Sequence, residues 1–216
     1  MKKNNYIFGY GSLIEKESRM RTTPDAKIAH PVIVTGFLRG WFARTGAHTL
    51  STTFLGCIRD KASLVNGVVY KVSADELPSI DQRESGYTRE LISHDKLEFL
   101  SDFNDADSAF WVYTNSFENR DELENYFPDK NFPIVQSYVD ICINGCLEIE
   151  QAFEKARSME FTKMFIQSTQ HWNTFWANDR IYPRRPFIHQ PNANTIDNYL
   201  KTFLVNKTLF DQIYIE

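Results

Sequence analysis

Residues Phe8–Ile14 read FGYGSLI, and this stretch decides how the rest of the chain is parsed. Just before its first glycine, Tyr6, Ile7 and Phe8 have the bulky apolar character of a first strand. Nine glycines serve all 216 residues, and two of them, Gly9 and Gly11, fall within these seven positions. A strand that runs into Gly-Tyr-Gly-Ser turns sharply with little side-chain bulk. Such a turn exposes backbone N–H groups that can receive an anionic or carbonyl oxygen. Taken alone, the stretch also reads as a plain glycine turn between strands.

Two later segments give it context. Residues Ile80–Glu90 read IDQRESGYTRE, which crowds Asp81, Arg83, Glu84, Arg89 and Glu90 around Gly86 and Tyr87. Residues Ile134–Glu148 read IVQSYVDICINGCLE, a helical pattern in which Tyr138 precedes an Ile/Cys-rich face and Gly145. Either short motif alone is weak evidence; their order and separation make the signal specific. Together the segments resemble the γ-glutamylcyclotransferase superfamily, including its ChaC-like and AIG2-like branches, over roughly the first 150 residues.

The resemblance implies a site. Tyr10, Gly11, Ser12 and Leu13 match the family's substrate loop, Glu84 its catalytic glutamate, and Tyr87 and Tyr138 match motif tyrosines less closely. It also implies a reaction, in which the α-amine of a γ-glutamyl group attacks its own γ-carbonyl, 5-oxoproline closes and the amide nitrogen leaves. The nucleophile is tethered to its target, so no cofactor and no metal is expected. One carboxylate, Glu84, would handle both protons, best if partly desolvated. The loop N–H groups would hold the substrate carboxylate or the oxyanion. Against this stands a surface role for Glu84 paired with an arginine; if the segment were a strand, Arg83 would point to the opposite face. Asp81 and Glu90 read as solvated or salt-bridged. Tyr10, Tyr87 and Tyr138 read either as pocket hydroxyls or as buried structural aromatics.

Composition bounds the alternatives. The chain is long enough for one domain with an elaboration, and 42% hydrophobic and 14% aromatic residues supply a core. A net charge of −4 argues against a nucleic-acid surface. No window is apolar enough to span a membrane, and no apolar run follows the basic N-terminus as in a signal peptide, so a cytoplasmic protein acting on a small molecule is expected. Cys57, Cys142 and Cys146 read as buried small hydrophobes. His30, His48, His94, His171 and His189 are too scattered for a zinc site.

The glycines divide the chain: eight lie at or before Gly86, and only Gly145 comes later. The first part carries β-type runs at Pro31–Phe37, Thr53–Ile58, Gly67–Val72, Tyr87–Ser93 and Ala109–Thr114. The second reads helical at Ser137–Leu147, at Leu147–Arg157, and at Thr195–Val205 with Asn194 or Thr195 as N-cap. The expected fold is α+β: a small mixed, barrel-like sheet over residues 1–150 and a helical extension over 151–216. In the extension, Trp172 and Trp176 stand at helical spacing and read as a hydrophobic brace or a lid. Arg180, Arg184 and Arg185 in the Pro-bounded loop Asp179–Pro186 read as substrate-carboxylate ligands or as surface ion pairs, and so do Arg19, Arg21 and Arg39 upstream.

The leading functional expectation is a γ-glutamylcyclotransferase-type enzyme. A non-catalytic binding module on the same fold, or a related lactam-forming or amide-cleaving enzyme, remains open. The leaving group is not legible. A Ser-His-Asp hydrolase is unsupported, because no G-x-S-x-G elbow is present and no histidine is placed beside Ser12.

Overall fold

The first strand, β1 (Asn5–Gly9), points Tyr6 and Phe8 to one face and Ile7 to the other, and all three are buried. A strand buried on both faces belongs at the centre of a sheet. In the computed structural model, which describes residues 3–44, 51–183 and 192–215, it does lie there. Its neighbours are β3 (Phe54–Val72), antiparallel, and β6 (Ala109–Thr114), parallel. With β2 (Ala29–Ala43), β4 (Thr88–Ile92) and β5 (Leu97–Phe99) the sheet runs β4-β6-β1-β3-β2-β5, and β8 (Thr169–Gln170) adds alongside β2.

The separate short strands expected at Thr53–Ile58 and Gly67–Val72 are one strand of 19 residues, hairpinned with a β2 of 15. Register shifts between Thr35 and Phe37, where Gly36 has φ +90°, and between Trp41 and Ala43 bend the pair and curl the sheet. Gly67 does not end a strand; it is glycine because a Cβ there would lie 2.4 Å from the Gly9 carbonyl oxygen. The sheet's two faces carry two cores. Tyr6, Phe8, Val32, Val34, Val69 and Phe110 pack on one side. Ile7, Trp41, Tyr70 and the helices pack on the other.

The IDQRES segment is not a strand. Its first residues end α2 (Leu77–Arg83), and Glu84 is the C-cap. Arg83 therefore sits on the last helical turn, with its Nη1 donating to the Thr22 carbonyl at 2.6 Å.

The later part is helical but shorter-stepped than its periodicity suggests. The long helix α4 (Gln136–Ala152) stops where Phe153 turns extended, and α5 (Glu154–Ser158), α6 (Phe161–Ser168) and α7 (Ala193–Phe203) follow. Asn192, not Asn194 or Thr195, is the α7 N-cap residue. Ile196 and Leu200 face inward there. Trp172 and Trp176 are not on a helix. The chain leaves α6 into β8, passes His171 at φ +65° and enters β9 (Trp176–Asn178). A parallel three-stranded ribbon forms from β7 (Ile134–Val135), β9 and β10 (Tyr214–Ile215). The two tryptophans stack on each other, and Trp172 meets Trp41 edge-on, so they brace the core. Arg184, Arg185, His48 and His189 lie outside the described residues.

Gly145 is where α4 meets the loop segment. A Cβ there would lie 2.4 Å from the Glu15 amide nitrogen and 2.7 Å from Glu15 Cα, both backbone atoms. Gly145→Ala is therefore expected to destabilise the protein by roughly 1–3 kcal/mol. Alanine's better helix propensity, worth about 1 kcal/mol, offsets only part of the clash. Thermal denaturation checks this, and an unchanged or raised midpoint would contradict the packing described.

Candidate active site

The parallel neighbours β1 and β6 end side by side, and ligand sites in open sheets lie beyond such carboxyl ends. Beyond β1 comes the loop. Gly9 permits the turn, since a Cβ there would lie 2.9 Å from Leu13 Cβ. Residues Ser12–Ile14 then form one 3-10 turn, closed by Ile14 N–H to the Gly11 carbonyl at 3.0 Å and Glu15 N–H to Ser12 at 3.2 Å. The N–H groups of Gly11, Ser12 and Leu13 donate to no acceptor among the described residues. They form the open N-terminal end of the turn.

Two buried arginines fix the loop from beneath. Arg39 is fully buried, with Nη1 donating to the Tyr10 carbonyl at 3.1 Å. Arg19 donates to the carbonyls of Leu13 (3.0 Å), Ile14 (2.9 Å) and Ala26 (2.9 Å). Neither forms a salt bridge with a described acid, so the readings of Arg19 and Arg39 as carboxylate ligands or surface ion pairs give way. They hold backbone carbonyls of the loop, and because the Tyr10 carbonyl shares a planar trans peptide with the Gly11 N–H, that N–H points away from Arg39. Arg21 does make a surface pair, 3.7 Å from Glu17. Burial lowers the Arg39 pKa to about 10, which still leaves it charged at neutral pH.

Glu84, the C-cap residue of α2, lies within electrostatic reach of Tyr10 in this loop. Burial raises the pKa of Tyr10, Tyr70, Tyr87 and Tyr113, and the nearby Glu84 carboxylate adds a smaller push in the same direction. Burial raises the Glu84 pKa, and the Arg83 cation opposes that only partly. Gly86 at φ +117° turns the chain, Tyr87 N–H closes back on the Glu84 carbonyl at 2.9 Å, and β4 begins. Tyr87 is pushed up to about 12, first by burial and then by Glu84.

The tyrosines have distinct duties. The Tyr10 hydroxyl donates to the Tyr113 carbonyl at 2.9 Å, so its proton is committed and it offers a wall and a lone pair. Tyr138, on the first turn of α4, brings its hydroxyl oxygen to 3.0 Å from where a Gly11 Cβ would stand. The structure thus gathers Tyr10, Gly11, Glu84, Tyr87 and Tyr138, with Ser12 and Leu13 continuing the turn. Asp81 accepts from Tyr113 Oη at 2.8 Å and pairs with Arg89 at 3.1 Å, and Glu90 pairs with Arg59, so both carboxylates are engaged.

Sequence reasoning missed Asn115. It follows β6, exchanges hydrogen bonds with Cys57 (N–H to the Cys57 carbonyl 2.7 Å, Oδ1 from Cys57 N–H 3.2 Å) and engages the Tyr87 hydroxyl. The available signal was a polar residue just past the end of a strand next to β1. Cys57, Cys142 and Cys146 are buried and not joined in disulfides, and no group of three His, Cys, Asp or Glu side chains converges as a metal site among the described residues. No described helix is long and apolar enough to cross a membrane.

A sequence profile described as "Gamma-glutamyl cyclotransferase, AIG2-like" matches residues 7–132, which span β1, the loop, α2 and Glu84. The chain belongs to this family. Solved structures that resemble it include an uncharacterized protein from Homo sapiens (17% identity, TM-score 0.49, covering 74% of this chain and 88% of that one). Another is titled gamma-glutamyl cyclotransferase (16%, 0.49, 73% and 87%). A third is a yeast gamma-glutamyl cyclotransferase described as specific to glutathione (14%, 0.38, 74% and 97%). No functionally curated protein matches. The family profile stops before α4, so Tyr138 and the segments after it lie outside the matched part.

Proposed function

We propose that this family member is a cyclotransferase that releases 5-oxoproline from a γ-glutamyl amide or peptide, with Glu84 as the proton-transfer group. The reading is carried by one partly desolvated carboxylate within electrostatic reach of Tyr10 and Tyr87, together with a turn whose Gly11, Ser12 and Leu13 N–H groups meet no acceptor among the described residues. Glu84 takes a proton from the substrate's α-amine as its nitrogen bonds to the γ-carbonyl carbon. The carbonyl oxygen becomes an oxyanion received by N–H groups of Gly11, Ser12 or Leu13. As the oxyanion re-forms C=O, the original C–N bond breaks and Glu84 returns its proton to the departing nitrogen. Tyr10 and Tyr87 shape the pocket, and Tyr138 borders the turn. The chain's own groups suffice for every step, in a cytoplasmic setting and on a small-molecule substrate.

Incubation with glutathione, γ-glutamyl-alanine and a γ-glutamylamine, with 5-oxoproline quantified, tests this and identifies the leaving group. Product from one of them is the expected result. Absence of product from all three would turn the family assignment toward a binding role.

The pKa direction adds a pH prediction. Because burial raises Glu84, the acid limb of kcat/KM is expected above the ordinary glutamate value of 4.5. Arg83→Met removes the opposing cation and is expected to move that limb to higher pH, as read from a kcat/KM profile. A limb that moves down, or not at all, would contradict the coupling.

A further inference from the structure

The extension beyond the family-matched region reaches the site through two consecutive residues. Strand β7 runs directly into α4, and its partner β9 runs directly into Asp179 and Arg180, so this pairing sets both over the first turn of α4. Val135, the N-cap residue of α4, supplies no side-chain cap. Asp179 supplies it from outside: Ser137 N–H donates to Oδ1 at 2.7 Å and Ser137 Oγ donates to Oδ2 at 2.6 Å, all buried. A carboxylate at a helix N-terminus satisfies orphan donors and complements the helix dipole.

Arg180 holds the other side of the same turn. Its Nε and Nη2 both donate to Asp140 at 2.8 Å, and Asp140 is 0% exposed. Its Nη1 and Nη2 donate to Asp197 of α7 at 3.1 and 2.8 Å. Gln136 Nε2 donates to Asp140 as well, at 2.8 Å. Tyr138 lies between the two clamped residues, Ser137 and Asp140. Its ring is met edge-on by Trp41 and Phe54, and its hydroxyl borders Gly11.

We infer that Asp179 and Arg180 are positioning residues that fix Tyr138 against the Gly11 turn, so that the extension completes the active site. One bidentate fork and a double cap fall on the single helical turn that carries Tyr138, and a second fork ties that turn to α7, which exceeds what anchoring a surface segment requires. The functional part of this inference rests on the proposed reading of the loop as the substrate loop. The geometric part stands apart from it.

The test has two readouts. The Gly11 backbone amide resonance is compared in wild type, Tyr138→Phe, Asp179→Asn and Arg180→Lys. Arg180→Lys keeps the charge and gives up the forks, and it is the milder variant should Asp179→Asn fold poorly. Both positioning variants are expected to move the Gly11 signal toward its place in Tyr138→Phe. In parallel, Asp179→Asn is expected to lower kcat/KM for 5-oxoproline release by about 10–100-fold in wild type, as a misplaced group does. In the Tyr138→Phe background it is expected to have less than about a twofold effect, the non-additivity of residues acting through one another. An unmoved Gly11 amide in both variants, or equal kinetic losses in both backgrounds, would overturn the inference. If the wild type releases no 5-oxoproline, the functional reading fails while the Gly11 signal still decides the geometry.

Discussion

Replacing Glu84 by glutamine is expected to lower the rate of 5-oxoproline release by about 10²–10⁴-fold, the span a positioned general acid–base group supplies. The amide has nearly the same shape and retains hydrogen bonding, but it can neither accept the attacking amine's proton nor return it. Backbone geometry is no obstacle, because Glu84 sits at the C-cap of α2 with φ −86° and its N–H bonded to the Ile80 carbonyl at 2.8 Å. Stability should move the opposite way. A carboxyl whose folded-state pKa is raised contributes stability that is fully present below its unfolded pKa and lost as pH rises through the folded one. At neutral pH wild type therefore carries the cost of a desolvated charge, and Glu84→Gln is expected to melt slightly higher while losing activity. A variant that melts lower and keeps its activity would mean that Glu84 is a structural anchor.

Arg39 is the second large effect. Its guanidinium meets six acceptors: Thr169 Oγ1, the Tyr10, Asn66 and Phe165 carbonyls, Asn66 Oδ1 and Ser168 Oγ, at 2.7–3.1 Å. It also lies 3.8 Å over the Phe165 ring. From β2 it joins the loop after β1, β3, α6 and β8 at one buried point. Removing it leaves several buried acceptors without donors at about 1–3 kcal/mol each, besides a cavity. Arg39→Ala is expected to cost at least about 4 kcal/mol and to lower the melting temperature by on the order of 10 °C. Arg39→Lys should recover little, because an ammonium cannot reproduce the fork. Calorimetry reads this directly, and a shift of only a degree or two would show that water replaces the lost donors.

These two residues illustrate what the sequence makes legible. Glu84 stands out because a motif surrounds it, although the local structure is not legible there: the residues before it are helical, and Arg83 is set by a helical turn. Arg39 sat in GFLRGWF and looked like any exposed arginine, since nothing local reveals that its six partners come from four distant elements. The strands were found as apolar runs. Their fusion into one long hairpin was hidden by the charged stretch Arg59–Lys61, which is the solvated middle of β3. Trp172 and Trp176 show how periodicity misleads in a short aromatic segment. Their i, i+4 spacing arises from a turn after β8 and from pairing of β9 with β7. Asp179 and Arg180 could not be read at all, because a helix cap provided from forty residues away leaves no local pattern.

In the proposed reaction the substrate's own amine, not water, displaces the leaving group beside Glu84. Running the reaction in ¹⁸O-water with whichever γ-glutamyl substrate is accepted, and weighing the product by mass spectrometry, tests this most directly. Attack by the amine gives 5-oxoproline carrying no ¹⁸O, which is the expected result. Free glutamate bearing one ¹⁸O would contradict it and make the protein an amide hydrolase.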